Sequence, residues 1–220
     1  MSIPKPSGAA AKDAQQEVIN LRSRIQTLDQ DSRDLLFSQA RSHHTWQDRP
    51  VGEDKIWELY ELMKWGGTAN NGNPARLIFI QSAEAKARLS PALAPGNVAK
   101  MEKAPLTVLI AYDTQFYEHF PTLFPIRPEA ADAFRENPEK ASLAAFRNSS
   151  LQGAYLMTAA RAIGLDIGPM SGFNNDLVDE LFLDGTALKS NFLCNLGYAD
   201  TDGLFERLPR FSFEEICTII

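Results

Sequence analysis

The alternation of apolar and polar positions divides the chain into helical and extended segments. Over residues 13–28, Val18, Leu21, Ile25 and Leu28 recur three or four apart, which predicts a polar helix with a thin apolar stripe that leans on another surface. The stretch DSRDLLFSQA predicts a second helix, capped at Asp31 and leading into Arg41. GEDKIWELYELMKW has the clearest amphipathic pattern, with Ile56, Leu59, Tyr60 and Met63 on one face. ARLIFIQ and PLTVLIAYD are short apolar runs that predict buried strands, and SAEAKARLSPAL between them predicts a helix. From about Lys140 to Ile163 runs another strong helix, apolar nearly all round from Leu151 onward, which predicts deep burial. Gly153 inside it is unfavourable by propensity and predicts close helix packing. NFLCNLGYA predicts a further strand, and RLPRFSFEEICTII an extended segment followed by a short helical turn.

The remaining segments lack such periods. Residues 1–12, rich in Pro and Ala, predict a flexible arm, so that the chain divides into an N-terminal arm, 1–30, and one domain, 31–220. Residues 114–138 mix aromatics with Pro121, Pro125, Pro128 and Pro138, and predict a long excursion with a short helix, placed as a lid. DIGPMSGF, Asp166 to Phe173, reads as a turn. Gly168 and Gly172 allow backbone angles other residues avoid, and Pro169 fixes its own φ and lacks an N–H. Such a turn can hold its remaining N–H groups against a flat polar ligand. Strands and helices mix without βαβ repetition, which favours a single α+β domain over a doubly wound fold. No G-x-G-x-x-G follows a strand, so the usual dinucleotide signature is missing.

Composition narrows the classes. A length of 220 residues, with 44% hydrophobic and 23% charged, suits one soluble globular domain. The net charge of −6 without a basic run argues against nucleic acid as a partner. No apolar stretch reaches membrane-span length, and the first residues lack the apolar core of a secretory signal. Cys194 and Cys217 are too few for a disulfide framework or a zinc site, and both sit among apolar residues, as small core side chains do. The expected location is the cytoplasm.

Hydrolytic and metal chemistry find little support. The chain has three histidines, His43, His44 and His119, no G-x-S-x-G elbow, and no carboxylates at ligand spacing beside the adjacent pair. Four polar clusters remain: ARSHHTW (40–46), GGTANNGNPAR (66–76), GPMSGF (168–173) and ERLPRFSFEE (206–215).

Their order and setting resemble the FMN-dependent nitroreductase family. Arg41, Ser42 and Trp46 match its Arg-Ser-x-Arg/Lys-x-aromatic motif, with His44 at the second basic position. Thr68, Asn71, Asn73 and Pro74 match a Ser/Thr-x-x-Asn-x-Gln-Pro turn, with Asn73 for the glutamine. Pro169, Met170, Ser171, Gly172 and Phe173 match a Pro-x-x-Gly-aromatic turn that lies against the flavin. Arg210, with Arg207 near it, stands where a basic residue holds the phosphate, while Leu208 replaces a second, common basic residue. LMKWGGTANNGNPAR, FRNSS, GPMSGF and LKSN look closest to the malonic semialdehyde reductase (RutE-type) branch.

The resemblance implies a nitroreductase-type α+β sandwich, with a central, mostly antiparallel sheet flanked by helices. It implies an intertwined homodimer with two interfacial FMN sites and a C-terminal segment reaching across to the partner's sheet. It implies hydride transfer from NADPH or NADH through FMN N5 to a small aldehyde acid, malonic semialdehyde giving 3-hydroxypropionate in pyrimidine degradation. In that reading Ser171 and Gly172 offer backbone N–H groups to N5, and His44 or Lys100 offers a cation or donor near N1 and O2. Arg76, Arg147 and Asn148 are the candidate substrate contacts. The alternatives are a broad-specificity nitro or quinone reductase on the same flavin, and a non-catalytic flavin-binding module.

Overall fold

The computed structural model describes residues 8–220; the first seven residues of the expected arm lie outside the described residues. Of the two runs that read as buried strands, PLTVLIAYD lies in the middle of the sheet, whereas ARLIFIQ is an edge strand in which Ile80 alone is fully buried. Strand β1 is Ala75–Ile80 and β2 is Leu106–Asp113. Strand β3 is Asp166–Met170 and β4 is Leu188–Gly197. Their order is β1-β2-β4-β3, and all three pairings are antiparallel. The continuous apolar run of β2 is a central strand, with seven of its eight residues buried.

Helix α1 spans Ala9–Arg24, α2 Gln30–Arg33, α3 Glu53–Met63, α4 Ala83–Leu89 and α5 Pro95–Lys103. Two short helices follow, α6 Phe120–Leu123 and α7 Asp132–Arg135, then the long α8, Pro138–Ala162. Helix α9 is Asn175–Phe182 and α10 is Phe213–Ile216. One face of the sheet, with Val108, Ile110 and Leu196, buries Leu59 and Met63 of α3 and Leu156 and Ala160 of α8. The opposite face, with Leu109 and Leu193, buries Leu89 of α4, Met101 of α5 and Val178 of α9. The strand period of two feeds both layers, giving the expected α+β sandwich.

Several expectations are corrected. The stretch 166–170 is strand rather than turn. Pro169 pairs with Cys194 on one side only, because β3 is an edge strand, where a missing N–H costs no ladder bond. Helix α8 is not buried all round: Leu143, Phe146, Leu151 and Tyr155 are exposed, and one face alone meets the sheet. Gly153 serves a strand, not a helix. A Cβ there would sit 2.5 Å from the Phe192 ring, so its absence lets α8 settle onto β4. The first helix begins at Ala9, inside the expected flexible arm, and ends at Arg24, leaving Ile25 and Leu28 beyond it. None of its residues is buried. The cap of the next helix is Asp29, which accepts from the Ser32 amide at 2.7 Å, rather than Asp31. Cys194 is buried and desolvation pushes its thiol up to about 12, but Cys217 is exposed. Excursion 114–138 is not a loose lid. Phe116, Phe120 and Phe134 meet edge-on at 5.2–6.0 Å and pack on Ala141 and Ala145 of α8.

Candidate functional site

The structure sorts the candidate residues into two groups at opposite edges of the sheet. The first lies along β3. Segment 42–47 runs beside it and beside the exit of β4: the His43 amide donates to the Ile167 carbonyl at 2.8 Å and the Gln47 amide to the Tyr198 carbonyl at 2.8 Å. This approach needs Gly168, where a Cβ would fall 2.5 Å from the His43 carbonyl oxygen. The buried His43 ring sets Nε2 3.3 Å from one Asp166 oxygen, and the other Asp166 oxygen accepts from the Ala199 amide at 2.9 Å. Arg161, at the end of α8, donates to the carbonyls of Leu36 at 3.2 Å and Arg41 at 3.4 Å, tying down the approach to the motif.

Cations gather here. The Arg41 guanidinium donates to the Phe205 carbonyl, and Arg207 donates back to the Ala40 carbonyl at 3.3 Å. The tail thus brings Arg207 to Arg41. Arg210, further along and exposed, bonds among the described residues only the nearby carbonyls of Leu208 and Pro209, at 3.1 and 2.9 Å. Burial pushes His43 below its ordinary value; Asp166 opposes this, and the charges of Arg41, His44 and Arg161 reinforce it. His44 is held below its ordinary value, by burial first and then by the charge of Lys100.

The stretch after β3 is held from one side. The Gly172 carbonyl accepts from the Ala94 amide at 2.9 Å and from Asn97 Nδ2 at 3.0 Å, and the Asn174 amide donates to the Ala92 carbonyl at 2.8 Å. Gly172 does not use the left-handed region; a Cβ there would meet Asn97 Nδ2 at 2.8 Å. Among the described residues the amides of Ser171 and Gly172 have no protein acceptor. Ser171 and Pro169 are exposed, while Met170 is buried with its sulfur 3.7 Å from Asn195 Nδ2. Asn97 was not singled out in the sequence; its distance from Gly172 in the chain left no local signal.

The second group surrounds the turn before β1. The Asn73 amide donates to Thr68 Oγ1 at 3.2 Å, and the Asn73 side chain donates to the Asn71 carbonyl at 2.7 Å. Arg76 pairs with Asp113 at 2.7 Å and donates to the carbonyls of Asn73 and Ala75, both at 2.9 Å. Both polar atoms of Asn148 are engaged, with the Ala69 amide and the Ala144 carbonyl, each at 2.8 Å. Arg147 is exposed on α8 and, among the described residues, has no ion-pair partner. Asn71, Asn73 and Arg76 line a cleft of about 1030 Å³ along the outer edge of β1, walled by Trp57, Tyr60 and Trp65. His119 and Leu123 of the excursion close one side of it. Strands β2 and β4 lie between the two groups, an offset of three strand spacings or about 14 Å.

Residues 38–198 match the Nitroreductase family. The chain belongs to that family. Solved structures agree on the fold. An Exiguobacterium sibiricum 255-15 protein assigned to the nitroreductases, in complex with FMN, superposes with a TM-score of 0.76 at 19% identity, covering 88% of this chain and 99% of its own. An enone reductase of gut-bacterial fatty acid saturation (CLA-ER) gives 0.74 at 20% identity, with coverages of 88% and 100%. A Staphylococcus epidermidis ATCC 12228 protein assigned as an NAD(P)H:FMN oxidoreductase gives 0.74 at 16% identity, with coverages of 88% and 98%. Among the described residues no helix is long and apolar enough to cross a membrane, and no cluster of three or more His, Cys, Asp or Glu side chains is arranged to hold a metal.

Proposed function

We propose that the protein is an FMN-dependent oxidoreductase that uses NADPH or NADH to reduce a small aldehyde acid, malonic semialdehyde being the substrate its motifs favour. One observation carries this reading: Arg41 and Arg207 meet at one end of the β3 edge, and two unpaired amides, Ser171 and Gly172, stand at the other. Ser42 bridges to Ile167, so the two ends are separated by about four strand residues, roughly 13 Å, a distance on the scale of FMN itself.

The donor set fits the cofactor. Two guanidinia suit a dianionic phosphate, because forked N–H groups match its oxygens. Lys100, with neutral His44 beside it, would place positive charge at the pyrimidine edge of the ring. The Ser171 and Gly172 amides would donate to N5, and the missing side chain at Gly172 makes room for Asn97, which holds the turn through the Gly172 carbonyl. When bound, FMN supplies the two-electron relay between nicotinamide and substrate. For an aldehyde acid the chain must bind the carboxylate; Arg147 and Lys100 are available for this, whereas Arg76 is committed to Asp113.

The Thr68, Asn71 and Asn73 turn cannot join the same site within one chain, and this supports a homodimer in which a second copy supplies it. The open face of α8 and an exposed tail carrying Phe205, Leu208, Phe211, Phe213 and Ile216 both need covering. The tail of one copy, laid in the cleft beside the unpaired edge of β1, would cover its own apolar side chains and the Trp57, Tyr60 and Trp65 wall of that cleft.

An aromatic-walled cleft also suits flat substrates, which favours a nitro or quinone reductase as the second reading. Purified protein is expected to be yellow, to release FMN, and to oxidise NADPH or NADH with malonic semialdehyde faster than with nitroaromatics or quinones. Colourless protein that takes up no FMN overturns the reading; preference for nitroaromatics or quinones selects the second.

A further inference from the structure

The turn before β1 is held in an unusual conformation. Asn70, Asn71 and Asn73 have φ of 54°, 50° and 41°, three left-handed non-glycine residues within four positions, while Gly72 between them is right-handed. Asparagine tolerates this region better than most residues, yet each such residue still costs free energy that its surroundings must offset. Asn71 Nδ2 donates to the Leu123 carbonyl at 2.7 Å and Arg76 to the Asn73 carbonyl, but the two ends of the turn are held from one element, α8. Asn148 and Gln152 stand one turn apart on α8, each 5% exposed. Asn148 Oδ1 accepts from the Ala69 amide at 2.8 Å, at the start of the turn. Gln152 Oε1 accepts from the Ala75 amide at 2.9 Å, at its end, and Gln152 Nε2 donates to Asn73 Oδ1 at 3.3 Å.

We propose that Asn148 and Gln152 are positioning residues that clamp the two ends of the 69–75 turn, fixing the left-handed asparagines so that Asn71 and Asn73 face the cleft where a cofactor or substrate is met. The proposal rests on the flavin reading above for its functional half. Its structural half stands on the hydrogen bonds alone. Two buried side-chain amides on a helix packed against an apolar sheet are costly unless every polar atom is used. Here those atoms are spent on one short turn and on the helix itself, since Asn148 Nδ2 returns to the Ala144 carbonyl. Gln152 replaces the ladder partner that the outer side of an edge strand lacks at Ala75.

The test uses full-length protein, with FMN titration and amide hydrogen exchange of the FMN-free form. Gln152→Met removes both polar atoms at nearly constant volume. It is expected to weaken FMN binding about tenfold and to speed exchange at Ala75 by a similar factor. Gln152→Glu keeps the acceptor for Ala75 and is expected to retain slow exchange there. Asn70→Gly, introduced into Gln152→Met, is expected to recover about fivefold of the lost affinity, because glycine adopts positive φ without a side-chain penalty. A folded Gln152→Met protein with FMN affinity within about twofold of wild type, or with unchanged exchange at Ala75, overturns the proposal. So does a double variant with no recovery, which would show that backbone strain is not what the clamp restrains. Should Gln152→Met fail to fold, Gln152→Glu decides: exchange at Ala75 as fast as in an open loop overturns the clamp. Wild-type protein that takes up no FMN defeats the flavin reading separately, and exchange then decides the clamp by itself.

Discussion

Gly168→Ala places a methyl group where segment 42–47 crosses β3. Its Cβ would lie 2.5 Å from the His43 carbonyl oxygen, 3.2 Å from Trp46 and 3.5 Å from Asn195. Close carbon–oxygen contacts in sheets are about 3.3–3.6 Å, so the segment must retreat by about 1 Å. The obstructing atom belongs to the backbone, and rotamer changes cannot relieve the clash. That retreat stretches the 2.8 Å bond from the His43 amide to the Ile167 carbonyl beyond hydrogen-bond length. Overpacking costs about 1–3 kcal/mol and the lost bond about 1 kcal/mol. Replacing glycine by alanine returns roughly 0.5–1 kcal/mol. The net expected destabilisation is about 1.5–3 kcal/mol, readable in urea unfolding. Arg41 and His44 move with the segment, so FMN affinity should fall by about ten- to a hundredfold, the loss of one charge-assisted contact. Gly67→Ala is the control, because nothing lies within 4 Å of a Cβ there. Gly168→Ala with unchanged stability and unchanged FMN affinity would refute the claim that β3 positions the first motif.

Arg207→Ala should raise the FMN dissociation constant by about ten- to a hundredfold in a fluorescence titration, and Arg210→Ala by less, since Arg207 alone of the two reaches residue 40. His43 and His44 are both held below the ordinary 6.5, so the folded chain refuses protons that the unfolded chain accepts. Stability should therefore be full above pH 6.5 and fall as pH drops below it, with a shallower fall in His43→Gln, as measured by denaturant midpoints at stepped pH. Deleting residues 204–220 removes no fully buried side chain from its own copy; sedimentation should nevertheless show loss of the dimer together with loss of FMN.

The sheet centre was legible because β2 is apolar on both faces, a pattern that only a covered central strand supports. Helix α3 was legible from its 3.6 period, α8 from its long apolar run, and the four polar clusters from their order. β3 was hidden: Gly168 and Pro169 read as punctuation, and only its position at the sheet edge makes a proline acceptable there. The apolar second half of α8 read as burial, yet Leu151 and Tyr155 are about half exposed. Periodicity reports which residues need covering, not whether the cover comes from the same chain. Asn97 and Gln152 were missed for another reason. Each acts on a partner at least 75 residues away, on Gly172 and Ala75 respectively, and a contact of that range leaves no trace in local spacing. The same holds for Arg76, a candidate substrate contact by type, whose guanidinium is engaged with Asp113 and two nearby carbonyls.

The central claim is that residues at opposite edges of the sheet meet in one flavin site across two copies of the chain. Mixing two inactive proteins tests it most directly. One carries Arg41→Ala with Arg207→Ala, disabling the β3 edge; the other carries Asn71→Leu with Asn73→Leu, disabling the turn before β1. Each alone should bind FMN weakly and oxidise NADPH slowly. After co-refolding, the mixed dimer has one site in which both defects meet and one in which neither occurs. FMN occupancy and NADPH oxidation should return to about one intact site per mixed dimer. Mixtures that stay as inactive as their parents, although sedimentation shows that mixed dimers form, would contradict it.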